Sequence, residues 1–271
     1  MLSVDLVFFA ILLLLTGSGA GFLAGLFGVG GGAVLVPVFF YSFGILGIDE
    51  AVMMHISVGS SLAIIIPTSI RSFLAHIKHD AVDFDIVKKW IIAIPLGVFT
   101  ASYIASIASG DILRLIFAII TLVVSLRLLL NRPGWIIGKE VPGGVWRIIV
   151  GYFIGLFSAL MGIGGGVFNN TFMTLFGRPI HQAVATSAGV GVLIAIPGFF
   201  GYIAAGLGTP NLPAFSTGYI YWPAVLLVIP ATLFFAPIGA KIAHRADKRQ
   251  LEIAFGIFML IVAMRFFYSF F

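Results

Sequence analysis

The chain has 271 residues, of which 61% are apolar and 9% charged. Soluble domains are about 25% charged, so a soluble fold of this size is excluded, along with disorder, coiled coils and secreted disulfide scaffolds. Cysteine is absent, which removes disulfides, thiolate metal sites and cysteine nucleophiles, and the net charge of +5 sits in short loops between apolar runs. That placement reports membrane topology, not a nucleic-acid surface.

Ten apolar segments succeed one another: Leu6–Phe27, Ala33–Leu46, Glu50–Phe73, Ile86–Ile107, Ile112–Leu130, Trp146–Met161, Val167–Phe176, Ile180–Leu207, Tyr219–His244 and Leu251–Phe270. They are continuously apolar and not alternating, which predicts an all-α integral membrane protein and excludes barrel strands. The first segment has no basic stretch before it and no small-residue cleavage site, so it reads as a retained helix and not a signal peptide. The Pro- and Gly-containing stretch 131–145 divides the chain into a first membrane repeat, 1–130, and a second, 146–271.

The halves repeat each other. At an offset of 134 residues Gly17, Gly21, Gly28, Gly30, Gly31 and Gly32 meet Gly151, Gly155, Gly162, Gly164, Gly165 and Gly166. Five segments per half is an odd number, so the second copy is expected to enter the membrane inverted. The charges support this. With ten crossings and both termini outside, 13 of the 15 Lys and Arg residues fall inside, and only Arg114 and Arg265 fall outside. The stretch 131–145 is then a cytoplasmic linker, and the site of action is the cell membrane.

Glycine triplets interrupt helices, because glycine gains the most backbone entropy on unwinding. Val167–Phe176 is too short to cross and predicts a half-helix that starts near the membrane middle. A helix start presents free N–H groups and a partial positive charge, which suit an anion. Gly30, Gly31, Gly32, Gly164, Gly165 and Gly166 are therefore candidate substrate-binding positions. Asn169, Asn170 and Thr171 in the first turn of the half-helix join them. So do Ser57, Ser60, Thr186 and Ser187 from the third segment of each half, and Arg71 further along the first of these. Each has a structural alternative: capping for the asparagines, bonding back to the helix for the hydroxyls, and snorkelling for Arg71.

None of the ten acidic residues lies in the middle of a segment. A cation pathway normally needs such a carboxylate, so a small anionic substrate is expected. His55, the one ionisable group near the hydroxyl stripe, is the candidate for proton coupling. His76 and His79 beside Asp80 form one short cluster with no fixed partner, and no metal site is expected. No P-loop, Ser-His-Asp spacing or H-E-x-x-H motif is present, so the chain is not expected to be an enzyme or ATP-driven. No cofactor is expected beyond a coupling proton or sodium ion. The partners are the substrate and the lipid bilayer, with no nucleic acid; the oligomeric state is not legible.

The segments GFLAGLFGVGGGAVLVPVFF and GYFIGLFSALMGIGGGVFNNTFMTLF, with Ala183-Val184-Ala185-Thr186-Ser187, resemble the TauE/SafE family of sulfite-exporter-like permeases. The resemblance spans nearly the whole chain. It implies secondary transport of a small sulfur-containing anion such as sulfite, a sulfonate or thiosulfate across the cytoplasmic membrane. Where members of the family tend to carry a Thr-Ser pair in the first half, this chain has His55-Ile56-Ser57. An anion channel or a small-carboxylate carrier with the same midplane site is the alternative, and a lipid-directed membrane enzyme is a more distant one.

Overall fold

The computed structural model describes residues 2–27, 32–78, 80–130, 136–138, 141–243 and 247–270. The elements in chain order are α1 (Leu2–Phe27), α2 (Gly32–Ile45), α3 (Glu50–Ile77), α4 (Phe84–Lys89), α5 (Ala93–Ile107), α6 (Gly110–Leu130), α7 (Gly144–Leu160), α8 (Gly166–Leu175), α9 (Ile180–Gly206), the two-residue strands β1 (Ser216–Thr217) and β2 (Ile220–Tyr221), α10 (Trp222–Ala243) and α11 (Lys248–Tyr268). Among the described residues, five helical stretches are long and apolar enough to cross a membrane: Glu50–Ile77, Gly110–Leu130, Ile180–Gly206, Trp222–Gly239 and Arg249–Tyr268. The chain is an all-α integral membrane protein, its only described sheet being the antiparallel pair of β1 and β2.

The segment expected as one helix over Ile86–Ile107 is two. α4 ends at Lys89, and α5 begins at Ala93. Pro95 favours the break. It has no N–H to offer the Ile91 carbonyl and its ring crowds that carbonyl, and it falls in the first turn of α5, where the missing N–H costs nothing. Pro37, Pro67, Pro197, Pro230 and Pro237 are nonetheless carried inside helices of this chain. Trp90 in the connecting turn is fully buried, and its indole N–H donates to the Arg147 carbonyl at 2.8 Å. The last segment but one also starts later than expected. Tyr219 lies in the β1–β2 turn, and α10 starts at Trp222 with Pro223 in its first turn.

α3 and α9 form the centre and run antiparallel. Gly189 lies against Phe73, Gly191 against Ser69 and Gly198 against Leu62, so residue numbers fall on one helix as they rise on the other. α6 and α11 pair in the same sense. Arg249 at the start of α11 donates to the Leu128 and Leu129 carbonyls at 2.8 and 2.6 Å, capping α6. At the other end the Arg114 guanidinium stands 4.3 Å from the centre of the Phe270 ring. Two further pairs run parallel. α1 lies on α10 through Gly17 at Val228, Gly21 at Thr232 and Gly25 at the Ala236 carbonyl. α7 lies on α5 through Gly151 at Trp90 and Gly155 at the Ile94 carbonyl. A Cβ on Gly21 would stand 2.7 Å from the Thr232 Cα, so the backbones meet with no room for a side chain.

These pairings bring Lys89, Arg147 and Arg178 to one face, while Arg114 and Arg265 lie at the other. Arg147 reaches Asp85 at 3.0 Å and Arg178 reaches Asp83 at 3.7 Å, with Lys89 on Asp85 at 2.7 Å. Lys89 first, and then Arg147, hold the exposed Asp85 carboxyl below the usual carboxylate range. The opposite face gathers the start of α3, the α5–α6 turn and the loop after α9, where Asn211 donates to Asp49 at 3.1 Å.

Candidate functional site

The interruption between α7 and α8 is built from two left-handed glycines. Gly162 has φ 62° and Gly165 has φ 77°, a region that other residues enter at a cost. α7 closes with the Gly162 amide on the Ala159 carbonyl (3.2 Å) and the Ile163 amide on the Ser158 carbonyl (2.8 Å), the paired bonds of a glycine helix stop. Gly165 is then the N-cap of α8, and it supplies no side-chain cap. The helical ladder of α8 starts with the Asn169 amide on the Gly165 carbonyl at 2.8 Å. The amides of Gly166, Val167 and Phe168 come before that bond, so they have no helical acceptor.

This tip is deep. Residues 161–167 are all buried. α8 has ten residues, about 15 Å, and the Ile137 amide bonds the Leu175 carbonyl at its far end, on the basic face. The tip therefore lies about half a membrane thickness from that face. Ser61 of α3 donates to the Gly162 carbonyl at 2.8 Å, and Gly32, the first residue of α2, abuts the same carbonyl. A Cβ on Gly165 would meet Ile194 Cδ1 at 2.7 Å, Val190 Cγ1 at 2.8 Å and Ser158 Oγ at 3.9 Å. One on Gly164 would meet Ile65 Cγ2 at 3.0 Å and Ser69 Oγ at 3.6 Å. Apolar walls with a few hydroxyls thus enclose the positive end of a helix.

The structure sorts the sequence candidates. Gly32, Gly164, Gly165 and Gly166 lie at the interruption; Gly30 and Gly31 lie outside the described residues. Asn169, Asn170 and Ser187 come together one turn into α8. Asn169 Nδ2 donates to Ser187 Oγ at 2.6 Å, and Ser187 Oγ donates to Asn170 Oδ1 at 2.6 Å. Asn169 Oδ1 is buried without a partner. Thr171 is the next residue and is partly buried. Thr186 faces elsewhere and accepts from the Asp83 amide at 2.9 Å. Ser57 bonds back to the Met53 carbonyl at 2.7 Å, and Ser60 accepts from the Tyr221 amide at 3.0 Å. Arg71 is exposed. Of the histidine cluster, His79 lies outside the described residues.

His55 is buried near the face away from the basic residues. Its Nε2 is 3.1 Å from both the Ala105 and Ala108 carbonyls, so that nitrogen carries the proton. Its ring lies 4.5 Å from that of Tyr219, and its Nδ1 has no partner. It borders an open cleft of about 430 Å³ whose walls include Asp49, Glu50, Asp111 and Asn211.

Two residues at the site are not among the sequence candidates. Ser61 belongs to the hydroxyl stripe of α3, where the sequence does not separate it from Ser57 and Ser60. Ser158 sits seven residues before Gly165 and offers only a hydroxyl near a glycine break. Among the described residues the buried polar side chains are serines, threonines, His55 and Asn169, with no lysine or arginine.

An uncapped helix start deep inside a membrane bundle is the kind of site that membrane transporters build. Residues 13–266 match the model of the sulfite exporter TauE/SafE family. A probable membrane transporter protein of Haemophilus influenzae is 35% identical over 96% of this chain and 98% of its own length. A probable membrane transporter protein of Methanocaldococcus jannaschii is 27% identical over 92% and 95%. The probable membrane transporter protein YunE of Bacillus subtilis is 24% identical over 96% and 97%. No solved structure is significantly similar to the chain. The chain belongs to the sulfite exporter TauE/SafE family, and it is a multi-pass membrane transporter.

Proposed function

We propose that the protein is a secondary carrier of a small sulfur-containing oxyanion, of the sulfite, sulfonate or thiosulfate class, and that it works by alternating access in the cell membrane. The observation that carries this reading is the buried tip of α8, three first-turn amides with no helical acceptor and no side-chain cap. Such a tip offers an anion fixed donors and a positive dipole end inside low dielectric, where they act most strongly. Gly32, Gly164, Gly165 and Gly166 form the walls of this site, with Asn169, Asn170 and Thr171 beside them; Gly30 and Gly31 lie outside the described residues. Ser187 joins through Asn169 and Asn170. Ser57, Ser60, Thr186 and Arg71 enter only if the helices shift between states.

The carrier consists of two inverted copies, 1–130 and 146–271, joined by the cytoplasmic linker 131–145. Support comes from the antiparallel crossing of α3 with α9 and of α6 with α11, helices that occupy equivalent places in the two halves. The basic face is cytoplasmic, and both termini are outside. Val190 and Ile194 against Gly165 seal the tip in this state, so α9 must move for the substrate to reach it. His55 couples transport to a proton, a sodium ion being the alternative coupling ion, and no other cofactor takes part.

The test is uptake into liposomes holding the purified protein. A carrier saturates with labelled sulfite, thiosulfate or a small sulfonate and shows counterflow. Unitary currents would replace the carrier by a channel, and uptake of small carboxylates alone would replace the substrate class.

A further inference from the structure

With the α8 tip taken as the substrate site, a reading on which this inference rests, we propose that Ser158 Oγ binds the substrate together with the first-turn amides of α8. We propose also that the site takes an oxyanion in its singly charged form, a sulfonate or hydrogensulfite head group, and excludes dianions such as sulfate and thiosulfate, which narrows the proposed substrate to the sulfite and sulfonate classes.

Ser158 is fully buried, and its hydroxyl has no hydrogen-bond partner. A serine in an apolar helix ordinarily donates to a carbonyl one turn back. Ser57 and Ser102 do so here, at 2.7 and 3.0 Å. Ser158 does not, and its oxygen stands 3.9 Å from the Cβ position of Gly165, the N-cap of α8. An unpaired hydroxyl and the amides that lack a helical acceptor thus share one enclosure. Both are donors, so the group that satisfies them together is an acceptor with several oxygens.

Among the described residues no cation lies around these donors, and this sets the charge state. No lysine or arginine belongs to the buried polar set of the described residues, and the side chains met at Gly164 and Gly165 are those of Ile65, Ser69, Val190, Ile194 and Ser158, with Ser61 on the Gly162 carbonyl. The cost of taking an ion out of water grows with the square of its charge, whereas the attraction of fixed neutral dipoles grows only in proportion to it. Going from a monoanion to a dianion multiplies the cost by about four and the gain by about two. A site of neutral donors in apolar walls therefore discriminates against the dianion; a guanidinium in the enclosure would remove that discrimination.

Proteoliposomes loaded with the wild-type protein are given labelled methanesulfonate. Uptake is expected, unlabelled methanesulfonate is expected to compete, and sulfate in tenfold excess is expected not to. Ser158→Ala is expected to raise KM for methanesulfonate tenfold or more, as the loss of a hydrogen bond to a charged group does. Its thermal unfolding should stay unchanged or rise, because the lost hydroxyl had no protein partner. Equal KM in wild type and Ser158→Ala overturns the role of Ser158 and leaves the carrier reading standing. Competition by sulfate as strong as by methanesulfonate overturns the charge selection; this arm uses only wild-type protein, so it decides even if the variant fails to fold. Absence of uptake for every sulfur oxyanion overturns the carrier reading, and the inference falls with it.

Discussion

Ser61 donates a 2.8 Å hydrogen bond to the carbonyl of Gly162, across 101 positions of sequence. This contact ties the middle of α3 to the interruption between α7 and α8, and both groups are buried. Ser61→Ala leaves that carbonyl without its partner. The loss is expected to cost about 1–3 kcal/mol of stability, visible as a lower thermal unfolding temperature of the detergent-solubilised protein. An unchanged transition would show that water or another donor takes over.

Gly155 bears on the packing of α7 and α5. A Cβ there would collide with the Ile94 carbonyl, which is backbone and cannot turn aside. Gly155→Ala is expected to destabilise by about 1–3 kcal/mol. Gly19→Ala, where a Cβ would meet nothing within 4 Å, is expected to be close to neutral, so the pair of unfolding curves separates crowding from a general intolerance of substitution.

Gly165 combines a φ of 77° with Ile194 and Val190 at 2.7–2.8 Å from its Cβ position. Gly165→Leu is expected to abolish uptake of the sulfur oxyanion while protein still reaches the membrane, since it fills the tip. Gly31→Leu is expected to do the same from the first half. Normal uptake by both variants would remove the tip as the site.

The coupling role proposed for His55 predicts a specific change in His55→Gln. The glutamine amide can still donate to the Ala105 and Ala108 carbonyls, so the local packing is expected to survive. What is lost is the titratable ring, in a cleft that also holds Asp49, Glu50 and Asp111. Uptake measured across pH is expected to lose its proton dependence; an unchanged profile assigns coupling to another group.

Asp85 carries a pH effect with a definite sign. Its carboxyl titrates lower in the folded protein than in the unfolded chain, held by Lys89 and then Arg147. Its contribution is therefore present above the ordinary carboxylate range and fades as pH falls through its folded value. Asp85→Asn is expected to differ slightly from wild type near neutrality, because the pair is exposed and screened. The two unfolding curves should converge in acid. A difference that grows in acid would contradict the assignment.

The α8 half-helix is legible in the sequence to a residue at each end: Val167–Phe176 is expected and Gly166–Leu175 is found. The glycine triplet marks where the backbone must turn, and length alone says the helix cannot cross. The break at Trp90 is not legible. Hydropathy runs unbroken through Trp90-Ile91-Ile92, and Pro95 reads equally as a kink or a helix start. The site residues show the limit of one-dimensional proximity. Thr186 and Ser187 are adjacent, but a helix turns about 100° per residue. One therefore meets the Asp83 amide and the other Asn169. Ser158 looks like any helical hydroxyl in the sequence, because the lack of a partner is a property of the packed bundle.

The glycine contacts of α1 on α10 and of α7 on α5 have a mechanical consequence. Each joins the opening helix of one half to the fourth apolar segment of the other, backbone against backbone. The halves are clasped like interlaced fingers, so neither can swing as a body without dragging helices that belong to its twin. In the proposed transport cycle, whatever shifts is assembled from both halves of the chain. A chain cut within the linker should still yield two fragments that hold each other in the membrane.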